Sequence, residues 1–325
     1  MNRHDYRKTK AKRSRTIVKI GLVFSLILLG SLTTYGVYLM KKAESAAGNA
    51  YETAGGRMKS ELRDKEVEPL TDNVSILFIG VDDSAKREQD GTDTSLSDAL
   101  MFATLNNTEH SIKLVSIPRD TYTYIPAAGY ADKITHAYGY NGPLSTIESV
   151  EQLLEVPVDY YVKVDFDAFI DVVEAVGGIE VEVPYDLEEQ DENDQQGAIK
   201  LKQGLQHLDG REALALARTR HYDNDIQRGQ RQQVILEAIL DEVLSASSFM
   251  RYGEVIDAVG NNMKTDMTLD EMQAFFEYAK DGMPSIENLT LAGYDDMSTN
   301  FYYWKLDEEE LQQTQLLLQK HLEIE

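Results

Sequence analysis

From Ile20 to Met40 the chain runs 21 residues without a charged side chain, and this run restricts the rest more than any other feature. As a helix it is long enough to cross ~30 Å of hydrocarbon, so everything after it must fold on one side of a bilayer. Arg3, Arg7, Lys8, Lys10, Lys12, Arg13, Arg15 and Lys19 precede the run, and only Lys41 and Lys42 follow closely. That asymmetry places the N-terminus in the cytoplasm and the folded part outside, a single-pass type II arrangement. The small residues of AESAAGNA would suit a cleaved signal peptide, but secretory apolar cores are usually ~7–15 residues long. The reading is therefore a basic cytoplasmic tail (1–19), a transmembrane anchor (20–40), a polar and partly helical stalk (41–73) and one extracellular domain (74–325).

Charge narrows what that domain can bind. The formal net charge is -24, yet residues 1–42 carry ten Lys or Arg against Asp5 alone, so the remainder stands at -33. Nucleic acid is excluded as a partner of so acidic a domain, and any anion it takes must be held by local groups. The basic tail is a topology signal rather than a DNA-binding arm. With no cysteine, disulfides, Cys-ligated zinc and thiol catalysis are out. A nucleophile-elbow serine, HExxH, a P-loop and a dinucleotide fingerprint are all missing.

The pattern along the domain predicts an α/β fold. VSILFIGV (74–81) is a continuous apolar run of the kind that forms a strand buried on both faces. ALMFATLN (99–106), IKLVSIP (112–118), YYVKVD (160–165) and IEVEV (179–183) read as further strands. Helical spacing occupies 142–155 and 166–178, the latter stopped by a glycine pair, and 209–218 is a helix with Asp209 as cap. Helices are also predicted from about 228 to 245, 251 to 263, 268 to 280, and from Asp307 onward, with a possible strand at FYYW (301–304). The acidic run 186–194 reads as a solvated loop and His207 as a turn residue. Strands interleaved with helices make one domain with a helix-covered central sheet.

Residues 218–232, RTRHYDNDIQRGQRQ, hold Arg218, Arg220, Arg228 and Arg231, and no lysine occurs between Gln203 and Met263. A guanidinium meets a phosphate with two parallel hydrogen bonds, where lysine offers a point charge. Arg218 and Arg220 are two apart and share a face in extended backbone. Arg228 and Gln232 share a helical face, with Arg231 beside them, if a helix opens near Asp225. For any one arginine, a solvated position paired with Asp223 or Asp225 is the plainer reading; for the set, a diphosphate clamp is. Asp82 and Asp83 end the first strand and Asp98 opens the second, where ligands of α/β sheets gather. Two such carboxylates could hold Mg²⁺ or be loop and capping acids. Arg119 closes the third strand in SIPRD, and DKITHAY offers Lys133 and His136.

Taken together, FIGVDD, SDALM, VSIPRD, DKITHAY, VDYYVKVDFDAF with VGGIEV, GLQHLDGREALALARTR and RGQRQQ resemble the LytR-CpsA-Psr family of membrane-anchored wall-assembly proteins, over about residues 74–245. The resemblance implies a domain with a central mixed β-sheet covered by helices. It also implies transfer of a glycopolymer, such as wall teichoic acid or capsular polysaccharide, from undecaprenyl pyrophosphate to a muramic-acid hydroxyl of peptidoglycan in a Gram-positive-type envelope. Carried over residue by residue, it makes Asp82 and Asp98 the Mg²⁺ ligands (Mn²⁺ being possible), and Arg119, Lys133, Arg218, Arg220, Arg228 and Gln232 the pyrophosphate grip. Asp98, Arg119, Arg218 and Arg220 are then the catalytic set, with Asp98 or Asp82 assisting removal of the acceptor proton. Val234, Ile235 and Ile239 could line a tunnel for the lipid tail or simply fill the core. The chain departs from the family at Leu96, where an arginine is usual, and in the shortened DNDIQR loop. A polyprenyl-phosphate-binding regulator and a lipid pyrophosphatase are the other functions this pattern admits.

Overall fold

The computed structural model describes residues 30–31, 33–81, 96–191, 195–219, 225–244, 252–280 and 282–324. Asp82, Asp83, Arg220, Asp223 and most of the predicted anchor lie outside the described residues. Among those described, no helix is long and apolar enough to cross a membrane.

A helix over 33–50 (α1) leads in. Then come β1 (Val74–Val81), β2 (Ser97–Asn106), β3 (Ser111–Ile117), β4 (Tyr122–Ile125), β5 (Tyr130–Lys133), the short α2 (Tyr138–Asn141) and α3 (Pro143–Leu154). β6 (Tyr160–Val164), α4 (Phe166–Val176), β7 (Ile179–Val183), β8 (Leu187–Glu189), β9 (Ile199–Leu201), β10 (Gly204–Leu208) and α5 (Gly210–Arg218) follow. The chain closes with α6 (Asp225–Leu244), α7 (Tyr252–Asn262), β11 (Met263–Thr265), α8 (Leu269–Lys280), β12 (Ser285–Thr290), β13 (Gly293–Asp296), β14 (Tyr303–Leu306) and α9 (Glu308–Leu322).

The predicted central sheet is present, six strands in the order β11-β6-β1-β2-β3-β12. It is mixed: β1 with β6 and β3 with β12 run parallel, while β2 lies antiparallel to both its neighbours. The apolar run of β1 needs no polar face because both sides are covered. Leu77, Ile79 and Val81 join Leu100, Phe102 and Val115 beneath α3 and α9. Val74 and Ile76 join Ala103, Leu105 and Leu114 on the other side, against α8 and Leu236 of α6. A separate core forms between α4, β7, β10 and α5, closed by Ile235 of α6. Helix α6 thus bridges the sheet and this second core, which fixes the helix that carries Arg228.

Local signals explain most boundaries. Gly177 and Gly178, with φ of 96° and 89°, occupy the left-handed region that stops α4 at its predicted end. Asp209 caps α5 in a reciprocal box with Glu212. Three expectations fail. His207 sits inside β10, paired across to Glu180, and not in a turn. The acidic run is only partly solvated, since Leu187 and Asp191 are buried, β8 pairs with β9, and Arg211 meets Asp191 at 3.1 Å. The FYYW strand begins at Tyr303, two residues late.

The stalk residues lie against the domain. Arg57 pairs with Glu151 and Arg63 with Asp159, each at 2.6 Å and largely shielded from solvent. Lys42 of α1 reaches Asp257 of α7 at 2.7 Å. Nearby, Asp266 accepts the Tyr161 backbone N–H at 2.9 Å, and burial pushes its carboxyl up to about 6. A raised carboxyl stabilises the fold below the unfolded value of about 3.9, and that contribution is lost as pH climbs through about 6. Asp266→Asn keeps an acceptor and removes the buried charge. It should add on the order of 2 kcal/mol at pH 7 and little at pH 4, read by denaturant titration at both pH values.

Candidate active site

β2 and β3 are antiparallel with Leu100 opposite Ile117, so the residues just beyond that pair, Asp98 and Arg119, meet at one end of the sheet. Arg119 Nη1 donates to Asp98 Oδ1. Arg119 Nε is buried with no hydrogen-bond partner among the described residues; the Asp120 carboxylate is 3.9 Å away. Asp120, only 7% exposed, binds Lys133 Nζ at 2.7 Å from the end of β5. Burial alone would raise the Asp120 carboxyl. The Lys133 bond, a hydrogen bond shared with Asp225, and the charges of Lys133 and Arg119 outweigh it and hold the group below the usual carboxylate range. Asp120 is therefore ionised at neutral pH, and its link to Lys133 weakens only as pH falls below ordinary carboxylate values.

Helix α6 brings the next groups. Arg228 Nη2 donates to the Asp98 carbonyl at 3.1 Å and lies 3.4 Å from Asp225. The expected pairing with Asp225 is present, but the solvated position expected with it is not: at 6% exposure Arg228 is buried. Arg218 ends α5 with its guanidinium carbon 4.4 Å from the centre of the Phe166 ring, just past the carboxyl end of β6. It is helical, so the extended-backbone argument for a shared face with Arg220 does not apply at Arg218. Arg119, Lys133, Arg228 and Arg218 thus collect where the ends of β2, β3, β5 and β6 meet the end of α5 and the first turns of α6, with Asp98, Asp120 and Asp225 among them.

Arg231 and Gln232 serve a different purpose. Arg231 donates to the carbonyls of Leu216 and Thr219, and Gln232 to that of Ala217 at 3.2 Å. Carbonyls at a helix C-terminus lack partners within the helix, and these two side chains supply them, holding the end of α5 that carries Arg218. Gln232, expected in the pyrophosphate grip, here binds the protein itself. Arg231→Met should cost about 2–4 kcal/mol because it strands buried carbonyls; a denaturation midpoint equal to the parent's would remove this structural role.

His136 pairs with Asp132 at 2.8 Å. Of the three apolar residues proposed for a lipid tunnel, Ile235 and Ile239 pack into the second core. Val234 lines a cavity of about 410 Å³ together with Val181, Tyr185 and Gln227. Sequence spacing does not mark Asp120, Phe166 or the contact of Asp225 with Asp120 as parts of the site. Asp120 carried a signal, since it adjoins Arg119 in SIPRD.

The sequence model described as the LytR_cpsA_psr family matches residues 37–320. The chain belongs to this family. Among LytR-CpsA-Psr relatives, TagT of Bacillus subtilis (strain 168), named polyisoprenyl-teichoic acid–peptidoglycan teichoic acid transferase, is 38% identical over 99% of both chains. An uncharacterised Staphylococcus aureus protein is 40% identical over 93% of this chain and 75% of its own length. A solved structure of TagT bound to LI-WTA superposes with a TM-score of 0.72, at 37% identity over 84% of this chain and all of the other. A TagT structure with bound octaprenyl pyrophosphate lipid gives 0.68 at 35% identity, over 84% of this chain and all of the other. The mixed sheet and its helices are thus the LytR-CpsA-Psr architecture.

Proposed function

We propose that this protein transfers an anionic glycopolymer, such as wall teichoic acid or a capsular polysaccharide, from undecaprenyl pyrophosphate to a muramic-acid hydroxyl of peptidoglycan. The acceptor oxygen bonds to the phosphorus that bears the polymer, the bond from that phosphorus to the lipid phosphate breaks, and undecaprenyl phosphate leaves. One observation carries the reading: Arg119, locked to Asp98 and backed by Arg228, keeps a buried N–H without a partner among the described residues at the end of the sheet. A donor held that way costs free energy until an oxyanion accepts from it. TagT, named for teichoic acid transfer and solved with a polyprenyl pyrophosphate, suggests the chemistry of that oxyanion.

In this reading Arg119, Arg218 and Arg228, with Arg220 and Lys133, grip the diphosphate and stabilise charge that grows on the transferred phosphoryl oxygens. Asp98, held in place by Arg119, would take the acceptor proton, and Gln232 would steady the α5 end beneath the grip. The donor set also suits a divalent cation. Asp98 offers hard carboxylate oxygens beside the diphosphate position, and Asp82 would complete the pair. Two carboxylates would leave room for a Mg²⁺ (or Mn²⁺) that shares substrate phosphates and keeps its waters. The ion would neutralise diphosphate charge. The run Ile20–Met40 would hold the domain at the outer face of the cytoplasmic membrane.

The test uses the full chain in lipid nanodiscs with a lipid-pyrophosphate glycan donor, a peptidoglycan oligosaccharide and Mg²⁺. Glycan attachment should appear and be lost both in Asp98→Ala and on chelation. Release of free phosphorylated glycan alone would make the protein a pyrophosphatase. Donor binding without turnover would make it a regulator.

A further inference from the structure

Beyond Lys133 the charged cluster gives way to tyrosine. β14 lies beside β4, joined by the Trp304 N–H to the Asp120 carbonyl at 2.9 Å, so the hairpins β4–β5 and β13–β14 form one continuous surface. Tyr122 and Tyr303 meet edge to face at 5.0 Å between ring centres, and Lys305 Nζ lies 3.1 Å from the centre of the Tyr122 ring. Tyr124 is two residues from Tyr122, and Tyr294 is paired with Lys305 across the hairpin, so both project from the same side. They are 48% and 61% exposed. Lys133 joins this surface to the active site, binding Asp120 on one side and facing the Tyr303 ring at 5.9 Å on the other.

We propose that this tyrosine face is the subsite for the acceptor glycan strand. The inference rests on the transferase reading. A sugar ring presents a flat array of C–H bonds and a polar rim, which exposed phenols match with an apolar face and a hydroxyl. The position is right as well. The tyrosines adjoin Lys133, which binds Asp120 beside Arg119, so a glycan strand lying on them would bring a hydroxyl to the edge of the diphosphate grip. Charge selects between the two glycans of the reaction. Asp132 sits beside Tyr303, and Asp296 is paired with Tyr303 across the hairpin. With Lys133 and Lys305 opposing these carboxylates, the face has no net charge to draw an anionic polymer and suits uncharged N-acetylated sugars.

The test measures calorimetric binding to the full chain in nanodiscs, with a short oligosaccharide of alternating N-acetylglucosamine and N-acetylmuramic acid as probe, its lactyl carboxyls capped as simple amides so that it is uncharged. Sugar-free polyprenyl pyrophosphate and a glycan-bearing donor are titrated in parallel. Tyr124→Ala combined with Tyr294→Ala should weaken the oligosaccharide at least about tenfold and leave sugar-free lipid unchanged, and the two Phe replacements should restore most of the loss. Unchanged oligosaccharide affinity in the alanine variant overturns the proposal. So does a loss confined to the glycan-bearing donor, which would give the face to the polymer. If the unsubstituted chain bound no polyprenyl pyrophosphate, the transferase reading would fall, while the oligosaccharide titration would still decide what the face holds.

Discussion

Arg119→Ala is expected to reduce glycan transfer by about 10²–10³, the cost of removing one preorganised donor from a developing oxyanion. The fold should survive, because Arg119 sits at a sheet end with its side chain 28% exposed and outside every core. Arg119→Lys should recover little. An ammonium cannot bind the Asp98 carboxylate and a phosphate oxygen through parallel N–H groups at once. Single-turnover transfer, measured beside circular dichroism of the same samples, checks both points. A rate within tenfold of the parent would move the diphosphate away from Arg119.

Gly229→Ala should be nearly as damaging by a different route. α6 crosses β3 so closely that a methyl on Gly229 would collide with the Ser116 hydroxyl and lie 3.0 Å from the Ser116 Cβ. Forcing extra volume into a packed contact costs about 1–3 kcal/mol. The helix can yield only by lifting from the sheet, which carries Arg228 off the Asp98 carbonyl. Lower stability and lower transfer should therefore appear together, and Ser116→Ala in the same chain should recover part of both. Full activity in Gly229→Ala would show that the site does not depend on how closely α6 approaches β3.

The sheet was legible because its strands announce themselves through burial on both faces. The apolar run of β1 and the glycine pair after α4 are local signals, readable without knowing what they pack against. The site was legible only as a set of charges. Arg218, Arg228 and Arg231 look alike in sequence, yet one flanks an aromatic ring, one reaches Asp98 and one closes the end of a helix. Which does which depends on how α5 meets α6, a contact between residues on separate helices that no spacing rule encodes. Asp120 was overlooked for a related reason. It draws its character from Lys133 across a hairpin and Asp225 on another element, partners invisible from SIPRD itself. His207 misled because a histidine flanked by glycines and an acid resembles a turn, while its strand is defined by pairing with β7.

Along α6, Arg228 is tied to β2, Gly229 to β3, Arg231 and Gln232 to α5, and Gln233 to the carbonyls of Leu114 and Leu289 on β3 and β12. No residue in that row can drift without disturbing a neighbour that the fold also needs. Tyr124 and Tyr294 stand in contrast, 48% and 61% exposed on hairpins that elsewhere carry side chains held by the fold, Ile125 and Lys133 among them. A lineage could therefore exchange one glycan for another by changing those two exposed positions, while the machinery that handles the phosphate stays frozen by its own packing.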